Sequence, residues 1–254
     1  MFKNVIVRTP GHTLVGGISS SNLGNPIYDK ALEQHENYIC ALRACGVDVT
    51  ILQPAEEFPD SVFVEDVALC TPYCAIITRP GADSRRDETL LIEPVLCRFY
   101  QHIEHIKAPG ILDAGDVMMV GTHFYIGESL RTNLEGVRQL IAILEKYGMT
   151  GSVIKIENIL HLKTALSYLE NNNLLATGSF IISRPEFQKF NVIIVPEEEA
   201  YAANCIWVNN KVIMPAGNPI TRDRIATLGY DLIEVDTSEY RKVDGGVSCM
   251  SLRF

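Results

Sequence analysis

The sequence predicts an α/β protein built as a closed ring of five ββαβ units. Three observations carry this expectation. Short apolar runs paired across turn signals recur along the chain, helical segments follow them, and the units begin at a nearly constant step. The starts fall near Asp66, Asp116, His161, Cys205 and Cys249, which are 50, 45, 44 and 44 residues apart. A step of this size, held along a chain, marks a repeat architecture. A length of 254 residues is long for one ordinary domain and short for two. Residues 1–254 are therefore expected to form a single domain.

The hairpins come first. Asp66 to Cys70 turns at Thr71-Pro72 and returns through Cys74 to Ile77. Asp116 to Val120 turns near Gly121-Thr122 and returns through Phe124 to Ile126. Leu166 to Leu169 turns at Asn171 to Asn173 and returns through Leu174 to Ala176; Cys205 to Val208 turns at Asn209-Asn210 and returns through Val212 to Met214. Apolar runs joined by Gly, Pro and Asn are the signature of antiparallel pairs. The fifth unit is split: its first strand is expected over Cys249–Phe254 and its second over Asn4–Arg8, so the two termini pair and close the ring. Closure removes the exposed end repeats that an open array must cap.

The clearest helix is expected from Asn133 to Gly148, with Asn133 as cap and Leu134, Val137, Leu140, Ile141 and Leu144 as its apolar stripe. Further helices are expected over Asp29–Cys45 and Thr221–Leu228, and a weaker one over Leu90–Phe99, where Pro94 must lie near the first turn or break it. Third strands follow at Val47–Leu52, Val153–Ile156, Val192–Val195 and Tyr230–Val235.

Composition sets the class. Apolar residues are 47% and charged residues 21%, enough to bury a sizeable core and too apolar for disorder. The formal charge of −9, without a Lys/Arg run, speaks against nucleic acid as a partner. It suits a small cationic substrate. No run approaches the roughly 18 apolar residues of a membrane span, and the N-terminus lacks a signal-peptide pattern. Seven scattered cysteines, an odd number, predict reduced thiols and a cytoplasmic location. Their spacing matches no structural metal site.

The ring makes a chemical prediction. Equivalent unit starts meet at its axis, which gathers Glu65, Asp66, Asp113, Asp116, His161, Asn204, Cys205 and Cys249. A carboxylate-lined mouth with one histidine and one cysteine can bind a cation and attack it, since a thiol nucleophile needs a neighbouring acid/base. Cys249 differs from the other cysteines in following Asp244-Gly245-Gly246-Val247-Ser248, whose two glycines permit an unusual backbone path and close ligand approach. Each of these residues alone would more often be filler, a cap or a turn residue.

The ordered set Phe63-Val64-Glu65-Asp66, Thr78-Arg79-Pro80-Gly81-Ala82, Ser84-Arg85-Arg86, Leu112-Asp113-Ala114-Gly115-Asp116, His161-Leu162-Lys163-Thr164 and Ser248-Cys249-Met250-Ser251 spans essentially the whole chain. It resembles the dimethylarginine dimethylaminohydrolases of the guanidino-group-modifying superfamily. The resemblance implies a five-fold pseudosymmetric α/β propeller. It also implies a hydrolase releasing citrulline from methylated arginine, with Cys249 as nucleophile, His161 as acid/base, and Glu65, Asp66 and Asp113 around the guanidinium. Asp60, Arg85 and Arg131 would grip the amino-acid end, the backbone carbonyls of Ile18 and Val243 would add ligands, and Asp244 would support the site. Asp113 stands where relatives carry Glu or Asp. No metal or organic cofactor is implied. A homodimer is, although the sequence carries no interface signal of its own.

The segment from Gly11 to Asn25, rich in Gly and Ser, is either a solvent loop or a lid. Arginine deiminase is the nearest alternative activity. That family usually has an acidic residue where this chain has Lys163, and a longer chain. A non-catalytic arginine-binding protein on the same ring is a further alternative, opposed by the intact Cys249, His161 and carboxylate set.

Overall fold

The computed structural model describes residues 1–156 and 159–254. Its strands form five separate three-stranded sheets. The strands are β1 (Asn4–Arg8), β2 (Asp48–Leu52), β3 (Ala68–Cys70), β4 (Ala75–Ile77), β5 (Ile103–His105), β6 (Val117–Val120), β7 (His123–Glu128) and β8 (Thr150–Lys155). They continue as β9 (Leu166–Tyr168), β10 (Asn173–Ala176), β11 (Asn191–Ile194), β12 (Ile206–Val208), β13 (Lys211–Pro215), β14 (Asp231–Val235) and β15 (Leu252–Arg253).

Each sheet repeats one plan: an antiparallel hairpin whose second strand pairs in parallel with a third. A parallel return needs a crossover, and helices Thr89–Leu96, Leu134–Lys146 and Pro219–Ala226 lie on three of these connections. In the fifth sheet the first strand is C-terminal. β15 pairs antiparallel with β1, Val5 opposite Arg253 and Ile6 opposite Leu252, and β1 pairs in parallel with β2. The split unit is therefore present, with helix Tyr28–Ala44 on its crossover.

Local chemistry explains the boundaries. Asn133 caps its helix by accepting the Gly136 N–H at 2.8 Å, and Gly148 takes a left-handed φ of +71° just beyond the last turn. The buried stripe is Val137, Leu140, Ile143 and Leu144; Leu134 is 39% exposed and lies outside it. Pro94 sits at the sixth position of the helix Thr89–Leu96, beyond its first turn, and the helix ends two residues later. The C-terminal strand is shorter than expected. Cys249 lies in the turn before β15, not on it.

The core is divided among five apolar clusters. One draws Ile6 and Leu252 together with Ala75 and Ile77. A second joins Leu69 and Ile76 to Val117 and Phe124, and a third joins Met118 and Tyr125 to Leu166 and Leu174. A fourth joins Leu175 and Ile193 to Val212 and Met214, and the fifth joins Ile206 and Ile213 to Val5 and Val7. Each cluster thus fills the space between one sheet and the next in the sequence of units, and burial of this kind is the main force holding sheets together. Among the described residues no helix is long and apolar enough to cross a membrane.

Candidate active site

The hairpin starts converge as the period requires, and His161 is placed by its neighbours. It precedes the short helix Leu162–Ala165, whose first N–H, that of Leu162, donates to Asp116 Oδ1 at 2.9 Å. The other Asp116 oxygen accepts the hydroxyls of Ser129 and Thr132 at 2.7 and 2.6 Å. Asp116 therefore holds the start of the His161 helix and the turn that carries Arg131. His161 Nε2 lies 3.0 Å from Asp113 Oδ2, and the other Asp113 oxygen accepts the Gly81 N–H at 2.8 Å. The imidazole packs close to Gly115, where an added Cβ would lie 3.0 Å from its Cγ and Nδ1.

Cys249 is half-buried and closes a tight loop. The Gly246 N–H donates to its sulfur at 3.4 Å, and its carbonyl accepts the Glu65 N–H at 3.0 Å. The glycines ahead of it are needed for close packing and not for a left-handed backbone. A Cβ on Gly245 would lie 2.2 Å from the Phe63 ring, and one on Gly246 would lie 2.5 Å from Asn204 Oδ1. The left-handed residue of the loop is Asp244, at φ +57°, a conformation that Asp tolerates better than most side chains. Asp244 Oδ2 accepts the Ser20 N–H at 2.5 Å.

Cys249 and His161 border the same small cavity, together with Ile18, Asp60, Asp66, Arg85, Arg131, Val243 and Asp244. Phe63, Leu160 and Gly245 complete its wall. Nine residues expected from the sequence thus meet around one space. Asp113 stands behind His161, fully buried. Glu65 borders a larger adjoining cavity that also reaches Cys249 and His161.

Several expected ligands already have partners within the protein, Arg85 and Glu65 most of all. Arg85 donates to Asp66 Oδ2 at 2.5 Å, to both Glu88 oxygens at 3.0 and 2.8 Å, and to the Asp60 and Phe63 carbonyls. Glu65 receives Lys163 at 2.7 Å, Arg253 at 3.0 Å and the Ser248 hydroxyl at 2.8 Å. Arg131 is less committed, 3.8 Å from Asp113. Ile18 reaches the site through its N–H, which donates to Asp60 Oδ1 at 3.0 Å. The loop that carries Ile18 is fastened over the cavity by Ser19 and Ser21, whose hydroxyls donate to the Lys242 carbonyl at 2.6 and 2.7 Å.

The electrostatics follow from burial and charge. Burial opposes the charged imidazole of His161, but Asp66, the hydrogen bond to Asp113 and the charge of Asp116 outweigh it and raise its pKa to about 9. Burial, then the carboxylates of Glu65 and Asp66, push the Cys249 thiol up to about 12. Asp113 is held below the ordinary carboxylate range: its burial is overcome by His161, Arg85 and the Gly81 N–H. Asp60 is raised by burial. Asp66, Asp113 and His161 each bring one ligand atom within 4.8 Å of the others, among the described residues the only cluster close enough to hold a metal ion. The four carboxylate oxygens are engaged with Arg85, Gly115, Gly81 and His161 Nε2. All seven cysteines are unpaired. The polar residues beneath the site, Lys163, Asn204, Ser248 and Arg253, were not singled out as ligands by sequence, and neither was the anchoring role of Asp116.

An α/β chain of five three-stranded sheets with a thiol and an imidazole against a carboxylate wall defines a class, that of cysteine-dependent sites built for a planar cation. The profile described as N,N dimethylarginine dimethylhydrolase, eukaryotic, matches residues 21–253, and the chain belongs to the dimethylarginine dimethylaminohydrolase family. It is 68% identical to the N(G),N(G)-dimethylarginine dimethylaminohydrolase of Pseudomonas aeruginosa, covering 100% of both chains. It is 35% identical to that of Streptomyces coelicolor, over 99% of this chain and 96% of the other. A solved structure of the C249S mutant of the Pseudomonas aeruginosa protein, complexed with citrulline, matches with a TM-score of 0.99 at 67% identity over 100% of both chains. The N-terminal domain of ArgZ, a cyanobacterial arginine dihydrolase, shares the fold at 21% identity and a TM-score of 0.87, over 100% of this chain and 97% of the other.

Proposed function

We propose that this chain hydrolyses N-omega-methylated arginines, asymmetric dimethylarginine and monomethylarginine, to citrulline and dimethylamine or methylamine. The observation that carries the proposal is the meeting of Cys249, His161 and Asp66 around one cavity, with Asp113 bonded to His161 from behind. A planar guanidinium offers N–H donors in a fixed fork, which carboxylates match with charge-assisted bonds. Asp66 and Asp113 supply that charge, with Glu65 beneath. Asp60, Arg85 and Arg131 hold the amino-acid end, with the carbonyls of Ile18 and Val243, and Asp244 keeps the loop of Ile18 in place.

The chemistry has two stages. In the first, the Cys249 sulfur forms a bond to the guanidinium carbon, His161 gives a proton to the methylated nitrogen, and the C–N bond breaks to release the amine. An S-alkylthiouronium remains. In the second, His161 takes a proton from water, the hydroxide adds to the same carbon, and the C–S bond breaks to release citrulline. At neutral pH His161 carries its proton and Cys249 is a thiol. A cation bound beside the sulfur lowers the thiol pKa, so substrate binding expels the thiol proton to solvent, where the released amine takes it up, and Cys249 regains a proton from the hydroxyl of the hydrated carbon as citrulline leaves.

The five clusters between successive sheets support a closed ring that folds as the single domain 1–254. The cytoplasmic location and the homodimer belong to the same reading and rest on the family resemblance and on the unpaired cysteines. The test is citrulline release from asymmetric dimethylarginine, monomethylarginine and arginine in parallel. Turnover of the methylated substrates is expected. Turnover of arginine alone would replace the assignment with a deiminase.

A further inference from the structure

Asn204 begins the fourth repeat unit and lies just ahead of β12, 6% exposed. Its amide is bonded on three sides. Oδ1 accepts the Ser248 N–H at 2.8 Å. Nδ2 donates to the Lys163 carbonyl at 2.9 Å and to the Ser248 hydroxyl at 3.0 Å. The orientation of the amide is forced, because a carbonyl can only accept and a backbone N–H can only donate. Ser248 immediately precedes Cys249, and Lys163 lies two residues beyond His161. One side chain from one unit therefore joins the backbone beside the thiol to the backbone beside the imidazole.

The clamp continues downward. The Ser248 hydroxyl, having accepted from Asn204, donates to Glu65 Oε2 at 2.8 Å, and the other Glu65 oxygen takes Lys163 and Arg253. The Asn204 amide donors and the Ser248 N–H and hydroxyl all meet acceptors, and a satisfied network of this kind holds one geometry rather than several. The glycine at position 246 fits the same account. Its missing Cβ is what lets the Asn204 amide enter the bend of the Cys249 loop.

We propose that Asn204 is a positioning residue that fixes the separation of the Cys249 thiol from the His161 imidazole; this rests on the reading of those two as nucleophile and acid. The geometry distinguishes the two tethers. Asn204→Ala removes both. Asn204→Asp loses both Nδ2 bonds, to the Lys163 carbonyl and to the Ser248 hydroxyl, but keeps an acceptor for the Ser248 N–H, so it frees the His161 side while Cys249 keeps its backbone tether.

The test uses the full chain, with kcat and KM for citrulline release from asymmetric dimethylarginine and, separately, the rate at which iodoacetamide labels Cys249, followed by peptide mass. Asn204→Ala is expected to lower kcat about 10- to 100-fold, as a misplacement of about an ångström does, with KM within about threefold. It should also change the labelling rate by more than about threefold. Asn204→Asp is expected to lower kcat about tenfold while Cys249 labels within about twofold of the parent rate. A folded Asn204→Ala protein with parental kcat, or a loss confined to KM, overturns the proposal. If Asn204→Ala does not fold, parental kcat in Asn204→Asp overturns it. If the parent releases no citrulline, the proposed function fails on its own, and unchanged Cys249 labelling in Asn204→Ala then overturns this inference independently.

Discussion

Cys205 and Cys249 stand ahead of the first strands of neighbouring repeat units, 44 residues apart, and the structure treats them differently. Cys205 is 3% exposed; its thiol donates to the Ala202 carbonyl at 2.9 Å, and burial alone raises its pKa. Cys249 is half-buried, accepts an N–H instead of donating, borders the cavity of His161 and feels two carboxylates. The segment ahead of each makes the difference. Before Cys205 runs the helical turn Glu197–Ala203, in which the Ala202 carbonyl accepts a hydrogen bond from the thiol. Before Cys249 run Asp244, left-handed, and two glycines that fit against Phe63 and Asn204. The repeat supplies a place at the axis; the loop supplies the reactivity.

The largest expected effect breaks the comparison directly. Cys249→Ser should lower citrulline release by at least about 10³-fold, since the nucleophile and its acid act as a unit. Cys205→Ser should leave kcat of the folded protein within about twofold and cost about 1–2 kcal/mol of stability, the cost of a small polar change in a packed site. Assays of both variants beside thermal melts check this. Parental turnover in Cys249→Ser would remove that residue from the mechanism.

The next effect tests why His161 differs from an ordinary histidine. Asp113→Asn keeps the shape of the side chain and removes its charge. The His161 pKa, about 9 in the parent, should fall toward the ordinary range, because the hydrogen bond and charge of Asp113 are among the causes that raise it. The alkaline limb of kcat/KM, where His161 loses the proton it must give to the leaving amine, should move to lower pH, with about a 100-fold loss in kcat. An unmoved limb in a pH–rate profile would assign it to another group.

How much of this was legible follows from range. The hairpins and their step could be read because alternation and turn residues are local signals, and the cap at Asn133 fixed its helix because the bond to Gly136 spans three residues. The meeting of Cys249 with His161 followed from the period alone. The polar layer did not, since Asn204, Ser248, Glu65, Lys163 and Arg253 come from four units and their bonds depend on side-chain reach. The glycine pair suggests an unusual backbone path and close ligand approach, whereas the groups that approach are Phe63 and Asn204 of the protein itself. Arg85 could be placed at the site, but Glu88, which takes two of its donors, has no motif to announce it.

The smallest effect concerns stability, and it separates His161 from Cys249. The folded pKa of His161 is about 9 against an ordinary 6.5, so between these values the native state binds more protons than the unfolded one. Stability then falls as pH rises. The contribution is fully present below about pH 6.5 and lost through about pH 9, and the difference corresponds to about 3 kcal/mol. Cys249 acts with the same sign at higher pH: the unfolded thiol ionises near 9 while the folded one keeps its proton to about 12. His161→Ala should therefore flatten the fall in unfolding free energy between pH 6.5 and 9 and leave the steeper loss above pH 9 in place. Urea titrations of both proteins across this range decide it. A parent as stable at pH 9 as at pH 6.5 would mean that the imidazole is not held in its charged form.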